Sequence, residues 1–180
     1  MENKVIGAEG IIIKGDKIVL GMQKQKRWYN IDGKFSAIIK TIGGAVELVD
    51  NNISKNALIR ELFEEIKNIE INDIDCCDFI FTKRVKMGDL NPFDESSSLE
   101  MEAEFYLLKI SDHCNVEPND LPFLIEIPIK DFINLKMHSK IEFNNIKDYV
   151  IKNKNIDAPI PDFFAFFIPD EIVEFLKDNY

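Results

Sequence analysis

The hexapeptide Arg60-Glu61-Leu62-Phe63-Glu64-Glu65 constrains this chain more than any other segment, because it sets three carboxylates beside an apolar stripe of helical period. At about 100° per residue, Leu58, Leu62, Ile66 and Ile69 fall within an arc of roughly 80°, which predicts the buried face of an amphipathic helix. Glu61, Glu64 and Glu65 stand at i, i+3 and i+4, so they are neighbours on one surface, with Glu65 at the edge of the buried stripe. Ionised carboxylates at a core boundary are costly unless they are paired or bound to a metal. The plainer alternative is an acidic surface helix neutralised by Arg60 and Lys67, in which each pair contributes only ~0.3 to 0.5 kcal/mol.

The residues upstream favour the first reading. Gly43-Gly44 follows the β-prone run from Ser36 to Ile42 and precedes Ala45-Val46-Glu47. A strand that ends in two glycines places bare backbone where a ligand or metal can approach closely. The order strand, Gly-Gly, loop, Arg-Glu-x-x-Glu-Glu helix resembles the box of the Nudix hydrolases, G-x5-E-x7-R-E-U-x-E-E-x-G-U with U aliphatic, over Gly43 to Glu65. Gly44 takes the first glycine, Glu47 fits an acidic loop position, and Arg60, Glu61, Leu62, Glu64 and Glu65 fit the core of the box. Asp50 stands where the loop glutamate is expected, and its interval to Arg60 is two residues longer than the family spacing. An enlarged loop at Asn51-Asn52-Ile53-Ser54 is therefore expected. Lys67 replaces the helix-ending glycine, with Asn68 as an αL terminator, and Thr41-Ile42 replaces a frequent Leu-Pro. An EF-hand reading of Asp50 to Glu61 fails, because Lys55 sits where that calcium loop needs its turn glycine.

The resemblance implies an α/β fold: a Nudix-type α/β/α sandwich with a mixed β-sheet and a C-terminal helical extension. One domain is expected over residues 1–180, with its core at about 4–130 and the extension at about 131–180. The implied activity is metal-dependent hydrolysis of the pyrophosphate linkage in a nucleoside diphosphate joined to another moiety. The alternative is a Nudix-fold nucleotide-binding or regulatory protein without catalysis. By the same resemblance Glu61, Glu64 and Glu65 hold Mg²⁺ or Mn²⁺, helped by the backbone carbonyl of Gly43 or Gly44. Arg60 orients a glutamate, and the general base is a box glutamate or one of Glu102 and Glu104.

Composition narrows the partners. The formal net charge of -10 argues against a nucleic-acid polymer or an anionic membrane surface. A small nucleotide-type substrate carried with a divalent cation is compatible with it. Cys76, Cys77 and Cys114 form no spaced pairs, which points to a reducing compartment and no disulfide framework. No apolar run has the length or flanks of a leader or a membrane span, so a cytoplasmic location is expected.

Elsewhere, Val5 to Ile13 and Lys17 to Met22 are predicted strands joined by a turn at Gly15-Asp16. In the basic segment Gln23 to Tyr29, Arg27 and Trp28 are candidates to meet phosphate and stack on a base, although a core anchor is the plainer role for Trp28. Asp73 to Val85 is a predicted strand with Lys83, Arg84 and Lys86 near its end, and Arg84 is a further candidate substrate contact. Asp94 to Ser98 is expected as an exposed loop. Leu99 to Ile110 is a predicted strand with Glu100, Glu102 and Glu104 on one face. The stretch Leu121 to Ile129 opens the last part of the chain. Helices are predicted near Ser139 to Lys152 and Asp170 to Asp178, separated by Pro159-Ile160-Pro161. Phe163, Phe164, Phe166 and Phe167 are expected to complete the core or to form a homodimer contact.

Overall fold

The predicted hairpin is present in the computed structural model, which describes residues 6–94, 100–135 and 137–180. Val5, Leu99 and residues 95–98 of the expected loop lie outside the described residues. Strands β1 (Ile6–Lys14) and β2 (Lys17–Met22) pair antiparallel around Gly15, whose φ of +59° suits a residue without Cβ. A second hairpin joins β3 (Tyr29–Ile31) to β4 (Lys34–Lys40). The glycine pair lies within β5 (Ile42–Ala45), which runs antiparallel to β1. Helix α1 (Ser54–Glu65) follows, then β6 (Ile66–Lys67), β7 (Ile74–Lys86), α2 (Met87–Leu90), β8 (Glu100–Ile110), β9 (Glu117–Pro118) and β10 (Phe123–Pro128). The chain ends with α3 (Ile129–Phe132), β11 (Ile141–Glu142), β12 (Val150–Lys152), β13 (Phe163–Phe167) and α4 (Asp170–Asn179).

The main sheet is mixed and runs β11-β13-β4-β2-β1-β8-β7. Its pairs β1–β8 and β13–β4 are parallel, and the others along this path are antiparallel. The sheet forks twice. One edge of β1 pairs with β5 at residues 7–10 and with β2 at residues 12–14. The edge of β2 that pairs with β1 over residues 17–19 likewise takes β4 at residues 21–22, with β10 on the opposite edge over residues 17–21. Strands that part in this way open a wedge at the end of β4, and the carboxylates described below gather there.

Each sheet face has its own core, which accounts for the α/β/α layering. On one face Leu58 and Leu62 of α1 pack with Ala8, Ile12, Val19 and Leu108. On the other, Ile172 and Leu176 of α4 and Phe132 of α3 pack with Ile11, Leu20 and Phe166. Gly10 permits the close seat of α1, since a Cβ there would lie 2.9 Å from Leu58 Cδ1.

Two expectations are corrected, and one pair of alternatives is resolved. The buried arc of the box helix stops early: α1 ends at Glu65, and Ile66 is extended with φ −122° and ψ 131°. Ile66 and Ile69 are still buried, but from the segment after the helix. With Lys67 in place of glycine the left-handed turn falls at Asn68, where φ is +61°. The segment Ser139 to Lys152 is not a helix; it holds β11, two short 3₁₀ turns and β12. The spacing of Phe143, Ile146 and Tyr149 suits the three-residue period of those turns as well as it suits an α-helix. Finally, the phenylalanine run is a sheet strand beside β4, and Phe164 and Phe166 complete the core.

Leu58→Ala is expected to destabilise the protein by about 2 to 5 kcal/mol in urea unfolding, because it vacates the contact between α1 and Gly10. A loss below about 1 kcal/mol would contradict the packing of α1 described here.

Candidate active site

The loop that carries two extra residues is tightly folded. Leu48–Asp50 forms a 3₁₀ turn in which Asp50 Oδ2 accepts from the Glu47 backbone N–H at 2.8 Å. Asn51 and Asn52 then take φ of +56° and +58°, a region asparagine tolerates better than most residues, and so absorb the added length. Asp50 is only 3 % exposed. Its carboxylate is gripped at both oxygens by Arg60, with Nε 3.0 Å from Oδ1 and Nη2 3.1 Å from Oδ2. The same guanidinium donates from Nη2 to the Ala45 carbonyl at 3.1 Å and from Nη1 to Glu61 Oε1 at 2.7 Å, and lies 3.5 Å from Glu64 Oε1. The Arg60 hydrogen bonds, joined by the Glu47 N–H, hold the Asp50 carboxyl below the usual aspartate range, and Asp50 in turn raises Arg60 above its ordinary value.

The glycine pair lets two carboxylates reach the backbone. A Cβ on Gly44 would overlap the Glu61 carboxylate, and one on Gly43 would overlap the Ala8 carbonyl oxygen and come within 2.9 Å of Glu9 Oε2. Glu9 is a site residue that sequence reasoning missed. It is buried, Thr41 Oγ1 donates to its Oε2 at 2.6 Å, and burial pushes its carboxyl up. The available signal was a charge in the interior of the otherwise apolar strand Ile6–Lys14.

Lys40 was also missed. Its Nζ donates to the Gly43 carbonyl at 2.8 Å and stands 3.9 Å from Glu65 Oε1. Burial alone would depress this ammonium, but Glu9, Glu65 and Glu61 outweigh it and push the pKa above the ordinary lysine value. Glu65 is 6 % exposed, its Oε2 is buried without a hydrogen-bond partner, and burial pushes its carboxyl up to about 7.

These groups line one end of a cleft of about 540 Å³. Arg60 and Glu64 also border it, Lys24, Lys26 and Arg27 add positive charge, and Tyr29, Val85, Met101, Phe105 and Phe167 supply apolar wall. Arg27, a candidate phosphate contact, lines this cleft. Trp28 is placed elsewhere: it stacks on Phe123 with centroids 6.4 Å apart and donates from Nε1 to the Gln23 carbonyl at 2.8 Å, as a core anchor does. Arg84 lies beside Glu102 and Glu100 at 3.6 and 4.0 Å and does not line the cleft. Glu102 and Glu104 share one face of β8, as predicted, but it is the face opposite Met101 and Phe105. There Glu104 accepts from the Ser54 hydroxyl and from Tyr106 OH, the latter at 2.8 Å. The structure therefore brings neither glutamate to the cleft as a base.

Among the described residues no three His, Cys, Asp or Glu side chains converge on a point that could hold a metal as they stand. The donor set is nonetheless of the right kind. Glu61, Glu64, Glu65 and Glu9 with the Gly43 and Gly44 carbonyls offer only hard oxygen, and the unpartnered Oε2 of Glu65 lacks a cation or donor.

No protein-family model matches the chain, and no curated protein matches it in sequence. Solved structures do match it. The E. coli dihydroneopterin triphosphate pyrophosphohydrolase is 12% identical, with 73% of this chain and 85% of that one covered and a TM-score of 0.52. A bifunctional NMN adenylyltransferase/ADP ribose pyrophosphatase from Francisella tularensis is 17% identical over 99% of this chain and 42% of its own length, with a TM-score of 0.51. A MutT Nudix hydrolase from Burkholderia pseudomallei is 19% identical over 72% of this chain and 86% of its own, with a TM-score of 0.46. The chain has the Nudix fold. No described helix is long and apolar enough to cross a membrane.

The Glu65 carboxyl makes metal-free stability depend on pH. Its folded pKa of about 7 exceeds the reference of 4.5, so between those values the folded state binds more protons than the unfolded state. Stability therefore falls as pH rises through this window, by at most about 3 kcal/mol from this group. Urea midpoints in EDTA are expected to drop between pH 5 and pH 8, and Glu65→Gln is expected to flatten that slope. An equally steep slope in the variant would show that Glu65 is not its source.

Proposed function

We propose that the protein is a divalent-metal-dependent hydrolase that cleaves the P–O–P linkage of a nucleoside diphosphate joined to a second moiety. The observation that carries this reading is the unpartnered, buried Oε2 of Glu65 beside Glu9, Glu61 and the glycine pair, inside a cleft with basic and apolar walls. A cleft of about 540 Å³ is large enough for such a ligand. Lys24, Lys26 and Arg27 would meet phosphate, and Tyr29, Phe105 and Phe167 would face the less polar part of the substrate.

Glu61, Glu64 and Glu65, with the Gly43 or Gly44 carbonyl, would hold Mg²⁺ or Mn²⁺. When bound, the cation supplies neutralisation of phosphate charge and acidifies the attacking water. Arg60 fixes Glu61 and restrains Glu64 by charge-assisted contacts, so these carboxylates are oriented before substrate arrives. Glu64 is 54% exposed at its side chain and is the box carboxylate freest to take a proton from water. In the overall step the water oxygen forms a bond to one phosphorus as that phosphorus loses the bridging oxygen. The water's protons go to the base and, through solvent, to the departing phosphate.

A panel of ADP-ribose, dinucleoside polyphosphates, nucleotide sugars, NADH and oxidised or normal dNTPs, with Mg²⁺ or Mn²⁺ and products separated by chromatography, tests activity and substrate class together. On the best substrate, Glu64→Gln is expected to lower kcat by about 10²-fold or more while leaving the unfolding curve unchanged. Full activity in that variant would remove Glu64 from the machinery. The position of Lys40 among the carboxylates favours a second reading, a nucleotide-binding protein that does not cleave. It predicts nucleotide affinity with no product at saturating metal.

A further inference from the structure

We infer that Lys40 is a resident cation of the cleft, its ammonium holding a place that a divalent ion must take, so that metal binds by displacing it; this rests on the metal reading proposed above. The ammonium donates to the Gly43 carbonyl at 2.8 Å and to the Thr41 carbonyl at 3.3 Å, and the first of these is one of the two carbonyls placed to assist a metal. Around it stand Glu9, Glu61 and Glu65, more carboxyl groups than one ammonium can pair.

The fit of the ammonium is incomplete. Its approach to Glu65 Oε1 is 3.9 Å, too long for a hydrogen bond, and Oε2 of the same carboxylate has no partner. A lysine kept only to stabilise the fold would be expected to close on the carboxylate it faces, as Arg60 closes on Asp50 at 3.0 and 3.1 Å. One monovalent head therefore leaves work that a divalent ion with several oxygen ligands would complete.

The lysine is also able to leave. Its backbone is fixed, since Lys40 pairs with Gly21 on one edge of β4 and with Phe167 on the other. Its side chain is 23% exposed and lines the cleft, so rotation of the four-carbon stem can carry the ammonium toward the substrate side without moving the strand. There a substrate phosphate is a ready counter-charge. The lysine thus has an anion to face whether or not the cation site is filled.

The test is Mn²⁺ titration calorimetry and thermal unfolding, with and without EDTA, on the full chain and its variants. The wild type is expected to bind Mn²⁺, and Lys40→Met is expected to bind it at least about tenfold more tightly. In EDTA that variant is expected to be less stable than the wild type and to gain more from added Mn²⁺. Equal or weaker Mn²⁺ affinity in Lys40→Met overturns the inference and leaves the metal reading standing. Should that variant fail to fold, Lys40→Gln removes the charge while keeping a polar head on the strand end and every carboxylate in the cleft. It is expected to bind Mn²⁺ more tightly than the wild type, and equal or weaker binding again overturns the inference. Absence of Mn²⁺ binding in every protein overturns both this inference and the metal reading.

Discussion

Arg60 is the joint on which the site depends. Its three nitrogens reach the buried carboxylate of Asp50, the end of β5 at Ala45 and the first box glutamate, Glu61. Loop, strand end and helix are thereby fixed to one another by a planar group that cannot lose its charge. A lysine at this position has a single head and could not span all three. Asp50 is nearly inaccessible to water, so its carboxylate is tolerable only while the guanidinium is there. The shorter aspartate and the longer loop therefore compensate each other: the extra residues are coiled through two left-handed asparagines, and the carboxylate still arrives at Arg60.

The glycines solve a different problem. Packing a carboxylate against a strand usually puts it against a Cβ, and here Glu61 and Glu9 would each meet one. Removing both side chains lets α1 and β1 present acidic groups to the same stretch of β5 from two directions. The forked sheet is what makes those directions converge. β1 exchanges β5 for β2 along its length, β4 stops at Lys40, and the carboxylates lie where the two partings meet.

Much of this was legible in the sequence. The hairpin, the Gly-Gly strand, the box helix and the last helix all carry short-range signals, namely turn residues, β-branched runs and helical periodicity. The parts left open or misread depend on information that is not local. Phe163 to Phe167 finds its place by parallel pairing with β4, more than a hundred residues away in the chain. Alternation in Glu100 to Glu104 reports that the glutamates share a face, but not that this face looks toward Ser54 instead of the cleft. Lys40 and Glu9 were passed over because each is an isolated charge beside apolar strand residues, a pattern that solvent explains equally well until β5 is folded alongside.

The same two residues bear on how so acidic a cleft can fold without a bound cation. Glu9 and Glu65 are buried, Glu61 is close to both, and in the absence of metal their mutual repulsion must be met by proton uptake or by a neighbouring positive charge. The structure uses both means. The carboxyls of Glu9 and Glu65 are pushed toward their protonated forms, and Lys40 contributes its ammonium while it stays half-shielded at the end of β4. An apolar residue at that position would leave a site with stronger attraction for a cation and a weaker fold without one. On the metal reading proposed above, stability of the cation-free cleft and affinity for an ion are therefore opposed through a single side chain, and the 3.9 Å separation between Lys40 and Glu65 is the geometry of that compromise.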